Sequence, residues 1–143
     1  MQPQPLTVLP YYLFLRFLAV AYAYSAIVYY GNLLGFGEIP WSEMPQIVQI
    51  NDIGYALLDT LAAVGLWRKQ TWGIALFLLI ALSQLVLYLG FPQDFIFSDE
   101  RQQTVRNFIN FHKISLSLFL ALFALKKWGR NSAPIHKEKS RKT

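Results

Sequence analysis

The sequence predicts an all-α integral membrane protein, a four-helix bundle oriented N-in/C-in with both ends on the cytoplasmic side. Three observations carry that reading. Hydrophobic residues make up 55% of the 143 residues and charged residues only 15%, against roughly 25% charged in a soluble domain. The apolar residues gather in runs of about 20, the length that crosses a hydrocarbon core at about 1.5 Å per residue. The cations collect at one set of run ends, the pattern that orients membrane helices. Mean hydropathy is only +0.33 because polar ends dilute very apolar runs.

Residues 1–10, with Pro3, Pro5 and Pro10, read as a short exposed leader. It has no Lys or Arg for a signal-peptide n-region, and the apolar run behind it is too long for an h-region. Residues 11–128 form the membrane domain. Span one covers about 11–34, with Arg16 as its only charge, and Gly31, Gly35 and Gly37 mark its exit. Gly31 and Gly35 match a small-xxx-small packing pattern, but at the end of a span they read as a helix stop. Trp41, between Pro40 and Pro45, reads as an interfacial anchor. Span two, about 47–67, is the most polar, with Gln49, Asn51, Asp52, Tyr55, Asp59 and Thr60. It leaves through Trp67-Arg68-Lys69-Gln70-Thr71-Trp72, an interfacial turn between antiparallel helices.

Span three, about 72–89, is nearly all Leu, Ile, Ala and Val, interrupted by Ser83 and Gln84. It has no polar face, which argues against a soluble bundle. Residues 90–103 read as a polar loop. Within it Ser98, followed by Asp99 and Glu100, resembles a helix start, because acidic groups complement the N-terminal dipole. The fourth helix therefore begins outside the membrane and crosses it at about 105–125, ending at Lys126, Lys127 and Trp128. Residues 129–143 read as a basic, disordered cytoplasmic tail.

Seven of the thirteen Lys and Arg lie between Lys126 and Lys142. Loop two and the tail together hold nine cations, against Arg101 and Arg106 on the opposite side. That asymmetry predicts the N-in/C-in orientation in a cell membrane, the inner membrane of a bacterium. The lipid bilayer is the expected partner of the basic tail. Nucleic acid is not, since no aromatic platform accompanies the charge. The chain has no cysteine, which excludes disulfides, thiolate metal sites and dithiol redox chemistry. No GxSxG, HExxH, P-loop or dinucleotide fingerprint occurs, so no catalytic residue is assigned.

Charges at membrane depth cost at least ~2.5–3.5 kcal/mol each on insertion scales, which makes them the places to look for function. Asp52, Tyr55 and Asp59 share one helix face by their spacing. Counting about 1.5 Å per residue from the cytoplasmic ends puts Asp52, Gln84, His112 and Ser25 at about 18–22 Å. Asp52, Tyr55, Gln84, His112 and Lys113 are thus a candidate buried polar cluster, in which Asp52 would pair with Lys113 or His112. Arg16 and Asp59 lie lower, at about 7 Å and 12 Å, and form a candidate ion pair. Such groups act either as polar glue between helices or as a pocket for a quinone, a small solute or a proton. A quinone needs a polar donor at each carbonyl and an aromatic wall, which Tyr22, Tyr55 and Phe111 could supply. His112 makes no metal site alone, because the other histidine, His136, lies in the tail.

The early arginine in Leu13-Phe14-Leu15-Arg16-Phe17-Leu18 and the span-two exit Ala62-Ala63-Val64-Gly65-Leu66-Trp67-Arg68 resemble the DoxX-like group of small four-helix bacterial membrane proteins. Trp72-Gly73 and Phe91-Pro92 look like uncharacterised families near it. The resemblance implies a link to respiratory quinol oxidation or redox homeostasis. It transfers no functional residue, because the span-two acids do not align with that group's glutamate. Three expectations follow: a non-enzymatic accessory subunit of a membrane complex, with a membrane-protein partner or a second copy; a redox-associated protein binding a quinone-like molecule; and a small oligomeric transporter.

Overall fold

A hydrocarbon environment offers the backbone no hydrogen bonds, so each crossing segment must satisfy its peptide groups within itself. A computed structural model describes residues 8–37 and 39–131. These form α1 (Leu9–Leu33), α2 (Gln46–Trp67), α3 (Thr71–Gly90), the short α4 (Pro92–Phe95) and α5 (Asp99–Asn131), with a 3-10 turn at Trp41–Glu43. No strand occurs among the described residues. Four helices, α1, α2, α3 and α5, are long and apolar enough to cross a membrane, the mark of a multi-pass membrane protein.

Two expected boundaries change. The leader does not run to residue 10, because α1 already begins at Leu9. Pro10 sits in its first turn, where a missing N–H removes a donor that has no helical partner anyway. The tail does not begin at residue 129, since α5 continues to Asn131. Residues 1–7 and 132–143, the rest of the expected leader and tail, lie outside the described residues.

The helix ends have visible chemical causes. At the end of α1, Gly35 takes φ +84. Its N–H bonds the Asn32 carbonyl while the Phe36 N–H bonds that of Gly31, the paired bonds of a Schellman cap. Gly31 has nothing within 4 Å of where a Cβ would stand, so it is not a packing glycine. The end of α2 repeats the cap with Lys69 in the left-handed position, φ 57, and the Gln70 N–H on the Gly65 carbonyl. Ser98 caps α5, its hydroxyl accepting from the Arg101 N–H at 3.0 Å.

The long helices pack as sequence neighbours, and α5 closes the ring onto α1. The pair α1–α2 is the most intimate, because buried Ala19, Ala26, Ala56 and Ala62 let the backbones approach. At the tight α2–α3 turn the contact is closer still. A Cβ on Gly73 would stand 2.3 Å from the Gly65 carbonyl carbon. The core between the helices is aromatic, with Tyr22, Tyr29, Tyr55, Phe77 and Phe119 all buried. A smaller cluster of Met44, Val48, Tyr88, Phe95 and Val105 closes the loop-one end.

The opposite end is tied by cations over rings. Arg16 lies 5.2 Å from the Trp67 ring and Lys69 4.7 Å from that of Tyr12. Lys126 stands 4.1 Å from the Tyr11 ring and 4.9 Å from Tyr12. The start of α1, the α2–α3 turn and the late part of α5 therefore meet at one basic, aromatic face.

Candidate functional site

The buried polar groups of the bundle fall into distinct sets along its axis. Nearest the loop-one end is Asp52, with no solvent exposure. Its carboxylate accepts from Asn32 Nδ2 at 3.1 Å and from Asn51 Nδ2 at 3.3 Å. Arg101 approaches it at 3.7 Å from the first turn of α5. One end of α1, the first turns of α2 and the start of α5 thus share one carboxylate.

Below it lies a layer of rings. Tyr29 stacks on Tyr55 and on Phe108, each at a centroid distance of 6.2 Å. The Tyr55 hydroxyl bonds Ser83 Oγ at 2.8 Å. The Tyr29 hydroxyl accepts from Gln84 Nε2 at 3.1 Å, and Gln84 Oε1 bonds His112 Nε2. An amide oxygen only accepts, so that ring nitrogen carries the proton. The other nitrogen, His112 Nδ1, is buried without a partner among the described residues. Lower still, Ser25 Oγ donates to Asp59 Oδ2 at 2.6 Å.

The structure brings Gln84 and His112 together but leaves three expectations unmet. Asp52 pairs with neither His112 nor Lys113. Its cation is Arg101, and the stacked layer separates it from the Gln84–His112 pair. Counting rise from the helix ends assumed that those ends share one plane. They do not: Lys126 of α5 lies over the Tyr11 ring, whereas Trp67, the last residue of α2, lies under Arg16, five residues further along α1, so the α2 scale starts about 7 Å further into the bundle. Lys113 is exposed, because successive helix residues point about 100° apart and His112 takes the inward position. Arg16 does not reach Asp59. It is exposed at the basic face over Trp67, and Ser25 from the same helix occupies the carboxylate instead.

Asn32, Tyr29 and Arg101 escaped the sequence reading. Asn32 sits in the glycine-rich helix exit, and Arg101 counted as a loop cation. The available signal was stoichiometric, since a carboxylate at depth demands donors, and Asn32 and Arg101 are among the few donors at the same bundle end.

The Tyr22 hydroxyl and Asp59 Oδ1 are also buried without partners among the described residues. The Tyr22 ring lies 6.4 Å from the His112 ring and packs on Phe77 and Phe111. These atoms leave hydrogen-bonding capacity on three helices for a water or a ligand atom. An open groove between α1 and α2, lined by Ala19, Ala23, Ala63 and Trp67, is apolar apart from Arg68.

The model of a family of unknown function, DUF6163, matches residues 9–130, which takes in all four long helices but for the last residue of α5. No curated protein and no solved structure matches the chain. Nothing in these comparisons links it to the DoxX-like group.

Proposed function

The chain belongs to the DUF6163 family, and from that premise we propose that it is a non-enzymatic accessory subunit of a larger membrane assembly. Its orientation would be N-in/C-in, and its membrane the bacterial inner membrane. The observation that carries this is the uneven packing of α5. In its most apolar stretch 17% of residues are buried, against 33% to 39% in the other three spans. The helix is also the longest, at 33 residues, so it presents the largest uncommitted surface. The interior supports the same reading. Asp52 is bonded to Asn32 and approached by Arg101, and separately Gln84 is bonded to His112, each across helices, as polar glue is.

One observation favours a second reading. The unpartnered His112 Nδ1 and Tyr22 hydroxyl, walled by Phe77 and Phe111, are the groups a quinone-like molecule would use.

A single experiment separates the two. The tagged chain, at native level, is purified in mild detergent, and its co-purifying proteins and extractable quinones are identified by mass spectrometry. A membrane protein in stoichiometric amount is the expected result. A bound quinone with no protein partner would replace this reading with the second one. A bare chain with neither would overturn both.

A further inference from the structure

Most of the exposed surface of α5 is apolar, with Ile114, Leu118, Leu120 and Phe123 facing out, but one stripe of it is not the lipid-like surface that a membrane span requires. Gln103, Arg106, Asn110, Lys113 and Ser117 are all exposed. Their spacing of three, four, three and four residues sets them in one straight seam along the helix. Gln103 is bonded to Asn107 and Ser117 to the Lys113 carbonyl. Arg106, Asn110 and Lys113 make no side-chain bond to any described residue.

Depth makes this seam informative. Lys113 lies 13 residues before Lys126, or about 20 Å along the helix, inside a core about 30 Å thick. A lysine head can snorkel part of the way to the nearer interface, but Asn110 is too short to do so. Polar groups at this depth face protein or a water-filled cavity, not hydrocarbon.

Charge decides between occupants. From Gln103 to Asn131, α5 carries no Asp or Glu, so the seam is purely cationic and amide-like. A second copy inserted the same way up would bring Lys113 against Lys113 at equal depth, where like charges repel strongly in a low dielectric. We therefore propose that this seam of α5 is the docking surface for a transmembrane helix of a different protein, one that carries a carboxylate at the level of Lys113. Asn110 lies one turn away and would bond the polar groups of that same helix. The proposal rests on the accessory-subunit reading and gives the partner its chemistry.

The test uses the full chain in its native membrane. A photo-crosslinking residue replaces Asn110 or Ser117 on the seam, or Ile50 on α2 as a control. Expected is one crosslinked membrane protein from both seam positions and none from Ile50. Lys113→Glu should lower that capture about tenfold, the scale of a single interhelical polar contact. Lys113→Arg should keep it. Changing the partner's intramembrane acid to Lys should restore capture by Lys113→Glu. Lys113 is exposed, so these variants leave the fold intact, and circular dichroism of each checks this. Crosslinks to a second copy or to lipid alone would overturn the proposal. A captured protein indifferent to Lys113→Glu would overturn it while leaving the accessory role standing. A stoichiometric partner that crosslinks elsewhere would do the same. A chain that purifies bare would sink both.

Discussion

Asp52 shows how one residue commits several helices. Removed from water with no exposure, it needs donors, and it draws them from α1, α2 and α5. Removing one member of a buried pair costs about 3–5 kcal/mol because the other charge is left behind. Arg101→Leu should therefore destabilise the bundle by about that amount. Adding Asp52→Asn to it should recover most of the loss, since Asn32 and Asn51 then face a neutral amide. Reversible unfolding of the two single variants and the double variant in mixed detergent micelles measures the coupling. A cost below about 1 kcal/mol for Arg101→Leu would mean that the two amides alone hold Asp52. At this scale the sequence was readable in kind but not in partner. That a carboxylate in span two must be paired followed from composition alone. Which cation pairs with it depended on the relative levels of the ends of α2 and α5, and the apolar runs do not record that.

The helices themselves were the most legible feature, because a run of about 20 apolar residues has few other uses. Their contacts were less so. Gly31 and Gly35 fit a familiar packing pattern, yet one faces open space and the other is a cap. The packing glycines are Gly65 and Gly73, on different helices and eight residues apart, where no single-helix motif brings them together. Their closeness arises only because the Lys69 turn folds α3 back on α2. α4 was missed as well, since four residues between Phe91 and Ile96 carry no periodic signal. The glycine contact can be tested. In Gly73→Ala the new methyl would stand 2.5 Å from the Leu66 nitrogen and 2.3 Å from the Gly65 carbonyl carbon. Backbone atoms cannot step aside as a side-chain tip can, so the α2–α3 hairpin must splay, at a cost of about 1–3 kcal/mol. Gly54→Ala is the matched control. Nothing lies within 4 Å of its Cβ position, and replacing a mid-helix glycine should be neutral or slightly stabilising. Thermal unfolding of both variants in the same detergent gives the comparison. Equal melting temperatures would show that the hairpin opens without loss.

The whole molecule has a polarity that none of its internal contacts determines. One end gathers Arg16, Arg68, Lys69 and Lys126 among tyrosines and tryptophans. The other carries Glu43, Asp94, Asp99 and Glu100. Turned over, the bundle would keep every hydrogen bond, ion pair and ring stack described above. Internal packing therefore selects no orientation, and the N-in/C-in expectation rests on the general tendency of membranes to retain Lys and Arg on the cytoplasmic side. Orientation can be measured without background because the chain has no cysteine. Ser42→Cys, in the 3-10 turn, and Gln70→Cys, in the α2–α3 turn, are both exposed positions at opposite ends. A membrane-impermeant maleimide applied to intact cells should label Ser42→Cys and leave Gln70→Cys unlabelled until the cells are permeabilised. The reverse pattern would put the basic face outside. The nine cations of loop two and the tail would then be outweighed by something beyond this chain, and the partner inferred for α5 would be the first place to look.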